Sequence, residues 1–206
     1  MLKIWGRKNS INVQKVLWCC GELGLDYERV DAGGEFGGTD TPEYRRMNPT
    51  GLIPTIDDDG FVLWESNSIV RYLAAKHGRG SLCPDALTQR ADAERWMDWD
   101  LGTLWVHFRP VFIGLVRTPP EQRDQALLER ERAKTIDAWQ LLDRHLADKA
   151  FVTGEQFTMG DIPVGCAAHR WLNMDVDSPE LPNVRRWYER LSQRRPYRDL
   201  VMLPVT

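Results

Sequence analysis

The stretch from Asn48 to Leu73 limits the folds open to this chain more than any other. It runs Asn48-Pro49-Thr50-Gly51-Leu52-Ile53-Pro54-Thr55-Ile56, then an acidic turn, then Phe61-Val62-Leu63-Trp64-Glu65-Ser66 and an apolar-periodic run to Leu73. Pro54 reads as the start of a strand, because proline inside a central strand removes a ladder donor. Asp57 to Gly60 supplies a hairpin turn, and Ser66 caps the helix after the second strand. A proline at a strand entrance leaves neighbouring backbone groups free. A helix N-terminus beside it offers amides and a hydroxyl to a carboxylate. Together the two predict a site for a peptide-like anion.

Element types alternate ahead of this unit. Leu2 to Trp5 reads as a strand, and Val13, Val16, Leu17, Cys20 and Leu23 recur at helical spacing until Gly24. Tyr27 to Asp31 is a second strand, and after the glycine-rich loop Gly33–Gly38, Thr41-Pro42-Glu43 opens a short helix. The order is βαβαββα, a right-handed parallel crossover and then an antiparallel hairpin, which is the order of a thioredoxin-like domain. From Gly78 to Ala86 the pattern breaks, with Pro84 opposing helix. Beyond it strand signals almost vanish. Ala93, Trp96, Met97, Leu101, Leu104 and Trp105 form one helical face, and Leu128, Ile136, Trp139, Leu142 and Leu146 another, with Thr118-Pro119-Pro120-Glu121 between them. Thr158-x-x-Asp161 has the form of a capping box. The predicted fold class is therefore α/β plus all-α. A thioredoxin-like domain spans residues 1–79, a linker 80–87, and an all-helical domain 88–206.

A net charge of -3 gives no global attraction to nucleic acid or anionic lipid, and the C-terminal arginines read as a solvated helix face. No apolar run reaches the roughly 18–20 residues of a membrane helix. Met1 leads straight into a strand pattern rather than a targeting segment, so a cytoplasmic protein is expected. Cys19, Cys20, Cys83 and Cys166 have no metal or CxxC spacing, and the first two sit in an apolar helix as core fillers. No metal is implied.

The chain resembles the cytosolic glutathione transferases, in particular bacterial theta-like and Nu-like members. The resemblance is carried by the opening Gly6-Arg7-Lys8-Asn9-Ser10-Ile11-Asn12-Val13, by Asn48-Pro49-x-Gly51-x-Ile53-Pro54, by Glu65-Ser66 before Ile69, and by Thr158-x-x-Asp161. These fall in family order across both domains. The resemblance implies reduced glutathione as co-substrate and a cis Pro54. It also implies that the Ile53 backbone pairs with the cysteinyl part of glutathione and that Glu65 and Ser66 hold its γ-glutamyl end. Ser10 and Asn12, at the start of the first helix, are candidates to stabilise the thiolate by donating to it, since a free thiol titrates at about 8.5. The plainer role for both is helix capping.

Many relatives carry lysine where this chain has Leu52. Arg7, Lys8 or the Gly33–Gly38 loop is expected to substitute for that lysine at the glycyl end. No tyrosine or cysteine stands at the first helix's start, which argues against tyrosine-dependent and mixed-disulfide mechanisms. The electrophile site is expected between the domains, at Trp105, Phe108, Arg109 and Phe112, where the arginine suits an anionic or halogenated substrate. The resemblance further implies a homodimer. The reading is a glutathione transferase acting on small electrophiles, with a glutathione-dependent disulfide reductase or a non-catalytic glutathione-binding protein as alternatives.

Overall fold

In the computed structural model, which describes residues 1–206, strand β1 (Leu2–Trp5) alternates buried and half-buried side chains, as a strand with one face on a core must. Helix α1 (Ile11–Leu23) is buried along most of its length. It lies between α3 (Ser66–His77) on one side and helices of the C-terminal half on the other. Strand β2 (Tyr27–Val30) pairs parallel with β1. After a short 3-10 turn at Gly34–Phe36 comes α2 (Pro42–Met47), where the Thr41 hydroxyl accepts the Tyr44 N–H at 3.2 Å and Pro42 occupies the first turn. Strands β3 (Thr55–Asp58) and β4 (Phe61–Trp64) complete a sheet of order β2-β1-β3-β4, with β3 antiparallel to both neighbours. Its register sets Ile4 opposite Ile56, both fully buried.

The second half is helical: α4 (Leu87–Trp99), α5 (Trp105–Phe112), α6 (Gln125–His145), α7 (Asp161–Leu172), α8 (Pro182–Ser192) and α9 (Arg195–Leu200). The sequence pattern runs one apolar face from Ala93 through Leu101 to Trp105, and the structure departs from it. A π-helical turn at Asp100–Leu104 joins α4 to α5, and a second at Ile113–Arg117 extends α5. Such a wide turn shifts the phase of the helix beyond it. Leu101 is consequently exposed while Leu104 and Phe108 point inward.

The break at Gly78–Ala86 is not a loose tether. Leu82 and Cys83 are buried, the Cys83 N–H donates to the Gly78 carbonyl at 2.9 Å, and the Met159 N–H donates to the Leu82 carbonyl at 2.8 Å. Both halves share one core. Trp18 of α1 packs against Phe157 and Tyr197, with ring centroids 5.4 and 4.5 Å apart. Gly165 of α7 makes room for it, since a Cβ there would lie 2.9 Å from the Trp18 ring. Beside this contact Lys15 and Asp100 form an ion pair at 3.0 Å, each about 1% exposed. The Thr158 box forms as its spacing predicts: Asp161 accepts the Thr158 N–H at 3.0 Å, and also those of Val152 and Trp187 at 2.9 Å. No helix is long and apolar enough to cross a membrane.

Candidate active site

The turn before α1 carries the first group of site residues. Ser10 has the extended backbone of a helix cap (φ -78°, ψ 128°), yet its hydroxyl accepts no amide of the first turn. Ordinary capping would use that oxygen. Here it is left free, half-buried, on the same cleft as Asn12. Asn9 is used differently. Its side-chain oxygen accepts from Arg7 at 2.6 Å, and its carbonyl accepts from Arg170 of α7 at 3.0 Å.

The Ile53–Pro54 peptide is cis. The preceding carbonyl, that of Leu52, is fixed by two donors, the Tyr44 hydroxyl at 2.7 Å and the Asn48 amide at 2.8 Å. Both side chains also bond the Thr55 hydroxyl, so the loop is held rigidly from below. The N–H and carbonyl of Ile53 remain without a partner in the chain. An unpaired donor and acceptor on one residue offer strand-like pairing to a peptide.

After β4, Glu65 takes a positive φ of 71°, rare for a residue with a side chain. Such a conformation persists only where the surroundings impose it, and observed outliers cluster at binding sites. Glu65, rather than Ser66, occupies the cap position of α3. Ser66 is the helix's first residue and is buried, so the first-turn amides of α3 begin at it. The arrangement places an exposed carboxylate next to an anion-favouring helix end.

A cleft of about 280 Å³ lies between the two halves, lined on one side by Ser10, Asn12, Leu52 and Ile53, and on the other by Trp105, Arg109 and Phe112. Phe108 does not line it. It is fully buried and packs edge-on against Trp171 and Phe112, because the turn preceding α5 rotates it into the core. The cleft is also lined by Arg7, Arg117 and the buried Arg170. Arg7 lies across Gly34, whose φ of +59° and missing side chain allow the approach: a Cβ would sit 2.7 Å from the guanidinium Nε. Arg7, Arg109 and Arg170 pair with no carboxylate, whereas Arg117 donates to the terminal oxygen of Thr206 at 2.9 Å; Arg117 and Arg170 also lie over the Phe112 ring, 4.9 and 5.6 Å from its centroid. Burial and the fields of Arg7 and Arg109 pull the Arg117 pKa down.

Residues 9–76 match the N-terminal domain of glutathione S-transferases, and residues 125–190 match their C-terminal domain. Over the full length of both proteins the chain is 43% identical to glutathione S-transferase GstB of Escherichia coli. The chain belongs to the glutathione S-transferase family. Among solved structures, the theta-class glutathione S-transferase of Xanthomonas axonopodis pv. citri with glutathione bound is 45% identical. It superposes with a TM-score of 0.96 over 100% of this chain and 99% of that one. A delta-class glutathione transferase of Nilaparvata lugens superposes at 0.87 with 28% identity, covering 97% and 92%.

Two cleft residues of this glutathione S-transferase, Arg117 and Arg170, escape a reading of the sequence. For Arg117 there is no signal, since an arginine ahead of a Thr-Pro-Pro break looks like any solvated charge. Arg170 carries one. Pro163, Cys166 and Ala167 precede it by seven, four and three residues, which puts the charge on the apolar stripe of its helix, and it is 4% exposed.

Proposed function

We propose that this glutathione S-transferase joins the glutathione thiolate to small anionic electrophiles, haloacids being the simplest. Ile53 pairs its free backbone groups with the cysteinyl unit. Ser66 and the first-turn amides of α3 take the γ-glutamyl carboxylate, and Glu65 accepts from the ammonium group. Arg7, beside Leu52, supplies the cation for the glycyl carboxylate that relatives draw from lysine. Ser10 and Asn12 donate to the sulfur, which then attacks the carbon bearing the halogen. A C–S bond forms as the carbon–halogen bond breaks, and halide leaves with the electron pair. Trp105 and Phe112 flank the acceptor's apolar part while Arg109 meets its carboxylate.

The observation that carries the acceptor class is Arg109, which lies on the cleft wall with Trp105 and Phe112, has no carboxylate paired to it and feels the like charge of Arg117. Like charges held this way repel, and an arriving anion relieves the repulsion. Bromoacetate and bromoacetamide share a leaving group and differ in charge. Corrected for their uncatalysed rates, bromoacetate is expected to have a kcat/KM about tenfold higher, consistent with one charge-assisted contact. Arg109→Met should erase the preference, and salt should weaken it. Equal rates for the two would refute the assignment. The chain is further proposed to be a cytoplasmic homodimer, for which light scattering should return about twice 23.8 kDa; a stable monomer would contradict it.

A further inference from the structure

Arg170 stands apart from the other cleft arginines because it is buried. Its guanidinium reaches from α7 across the domain boundary, bonding the Gln14 side-chain oxygen at 2.7 Å and the Asn9 carbonyl at 3.0 Å, both neutral acceptors. The charges and titratable groups around it are few. Arg7 and Arg117 carry the same sign, and Arg117 is the one that meets the terminal oxygen of Thr206, at 2.9 Å; burial and the charge of Arg170 itself pull the adjacent His169 down, and burial pushes the Cys166 thiol, to about 12, and the Tyr197 phenol up. Lys15 and Asp100, also buried beneath α1, cancel each other. A cation taken out of water without a counter-charge is costly, and removing that cost by pairing or substitution is open to any sequence. A buried cation without a counter-charge, next to Ser10, points to an anion that is present only during function.

We infer that Arg170 is a positioning residue of the thiol site: it holds the turn carrying Ser10 through the Asn9 carbonyl, and its uncompensated charge favours the glutathione thiolate. The inference rests on the reading that Ser10 and Asn12 face the sulfur. It adds that the helical domain contributes to thiol activation as well as to acceptor binding.

The test is the pKa of enzyme-bound glutathione, read from the thiolate's ultraviolet absorbance and from the pH profile of kcat, in the full chain. Arg170→Gln removes the charge and keeps an amide donor for Asn9. Gln14→Glu leaves Arg170 in place and neutralises it with a carboxylate. Each should raise the bound thiol's pKa by about 1, the lower end of what a nearby charge does, and cut the rate about tenfold below that pKa, with rates converging at high pH. Arg170→Lys, which keeps the charge, should stay close to the parent. If one neutralising variant does not fold, the other carries the measurement. An unchanged pKa in Arg170→Gln or Gln14→Glu would overturn the inference, as would Lys and Gln variants displaced alike. Ser10→Ala and Asn12→Ala, measured alongside, separate the failures. If both leave the bound thiol unmoved, the thiolate reading itself is wrong. If either raises its pKa while neither neutralising variant does, only the role of Arg170 falls.

Discussion

A serine that caps a helix contributes about 1 kcal/mol to stability, and replacing it lowers the melting temperature. Ser10 occupies the cap position but bonds no amide, so Ser10→Ala is expected to leave Tm nearly unchanged. Its effect should fall on catalysis instead. Losing a hydrogen bond to a charged sulfur costs about 1.5–3 kcal/mol, or roughly a tenfold to hundredfold drop in kcat/KM. Differential scanning calorimetry and steady-state kinetics on the same preparation decide it; a lowered Tm with intact turnover would return Ser10 to a capping role. At this scale the sequence discloses residues whose neighbours in the chain define them. Ser10, Ile53, Glu65 and Ser66 each stand at an element boundary that composition marks. Phe108 is misplaced by the same reasoning because its direction depends on a π-helical turn that no residue pattern announces. Arg170 needs a partner from the other domain before its position means anything.

Among the elements, β3 and α3 are tied by one small network that gives the fold an acid limit. Asp58, at the end of β3, accepts from Lys76 at 2.6 Å and from the Tyr72 hydroxyl at 2.8 Å. The Lys76 bond, against some desolvation, holds the Asp58 carboxyl below its ordinary value. A depressed carboxylate stabilises the fold above its unfolded pKa of about 3.9, and that contribution is lost as pH falls through the lower folded value. With Lys76 half-exposed, water screens the ion pair and keeps its contribution small. Asp58→Asn should therefore lower urea stability slightly at neutral pH, with the gap to the parent closing below about pH 4. A gap independent of pH would show that Asp58 acts through packing alone. The elements themselves are legible wherever local chemistry is strong, as at Thr41-Pro42 for α2, Gly24 at the end of α1, and Thr158-x-x-Asp161 at the entrance to α7. The connection at Gly78–Ala86 reads as a break because of its glycines and Pro84. Two buried residues, Leu82 and Cys83, turn that break into a fixed joint.

At the level of the whole molecule, the two halves behave as one folding unit. Trp18, Gly165 and Tyr197 interlock across the boundary, and Arg194 of the C-terminal half bonds both carboxylate oxygens of Glu22 at 2.8 and 2.6 Å. The Lys15–Asp100 pair lies within this interface, and one Asp100 oxygen has no partner at all. Breaking such a pair leaves a charge in a low-dielectric interior, which costs about 3–5 kcal/mol, whereas replacing both members by apolar side chains of similar size is close to neutral. Asp100→Ala is thus expected to lose about 3–5 kcal/mol, a large share of the about 5–15 kcal/mol of a typical domain. It should do so in a single transition, with far-ultraviolet circular dichroism and tryptophan fluorescence changing together because neither half keeps a closed core without the other. Lys15→Met with Asp100→Leu should recover nearly all of that loss. Two separated transitions in Asp100→Ala would show that the halves fold independently. A cleft whose walls come from both halves would then depend on the balance between two stabilities, and its arginines would be free to move away from Ser10 before either half melted.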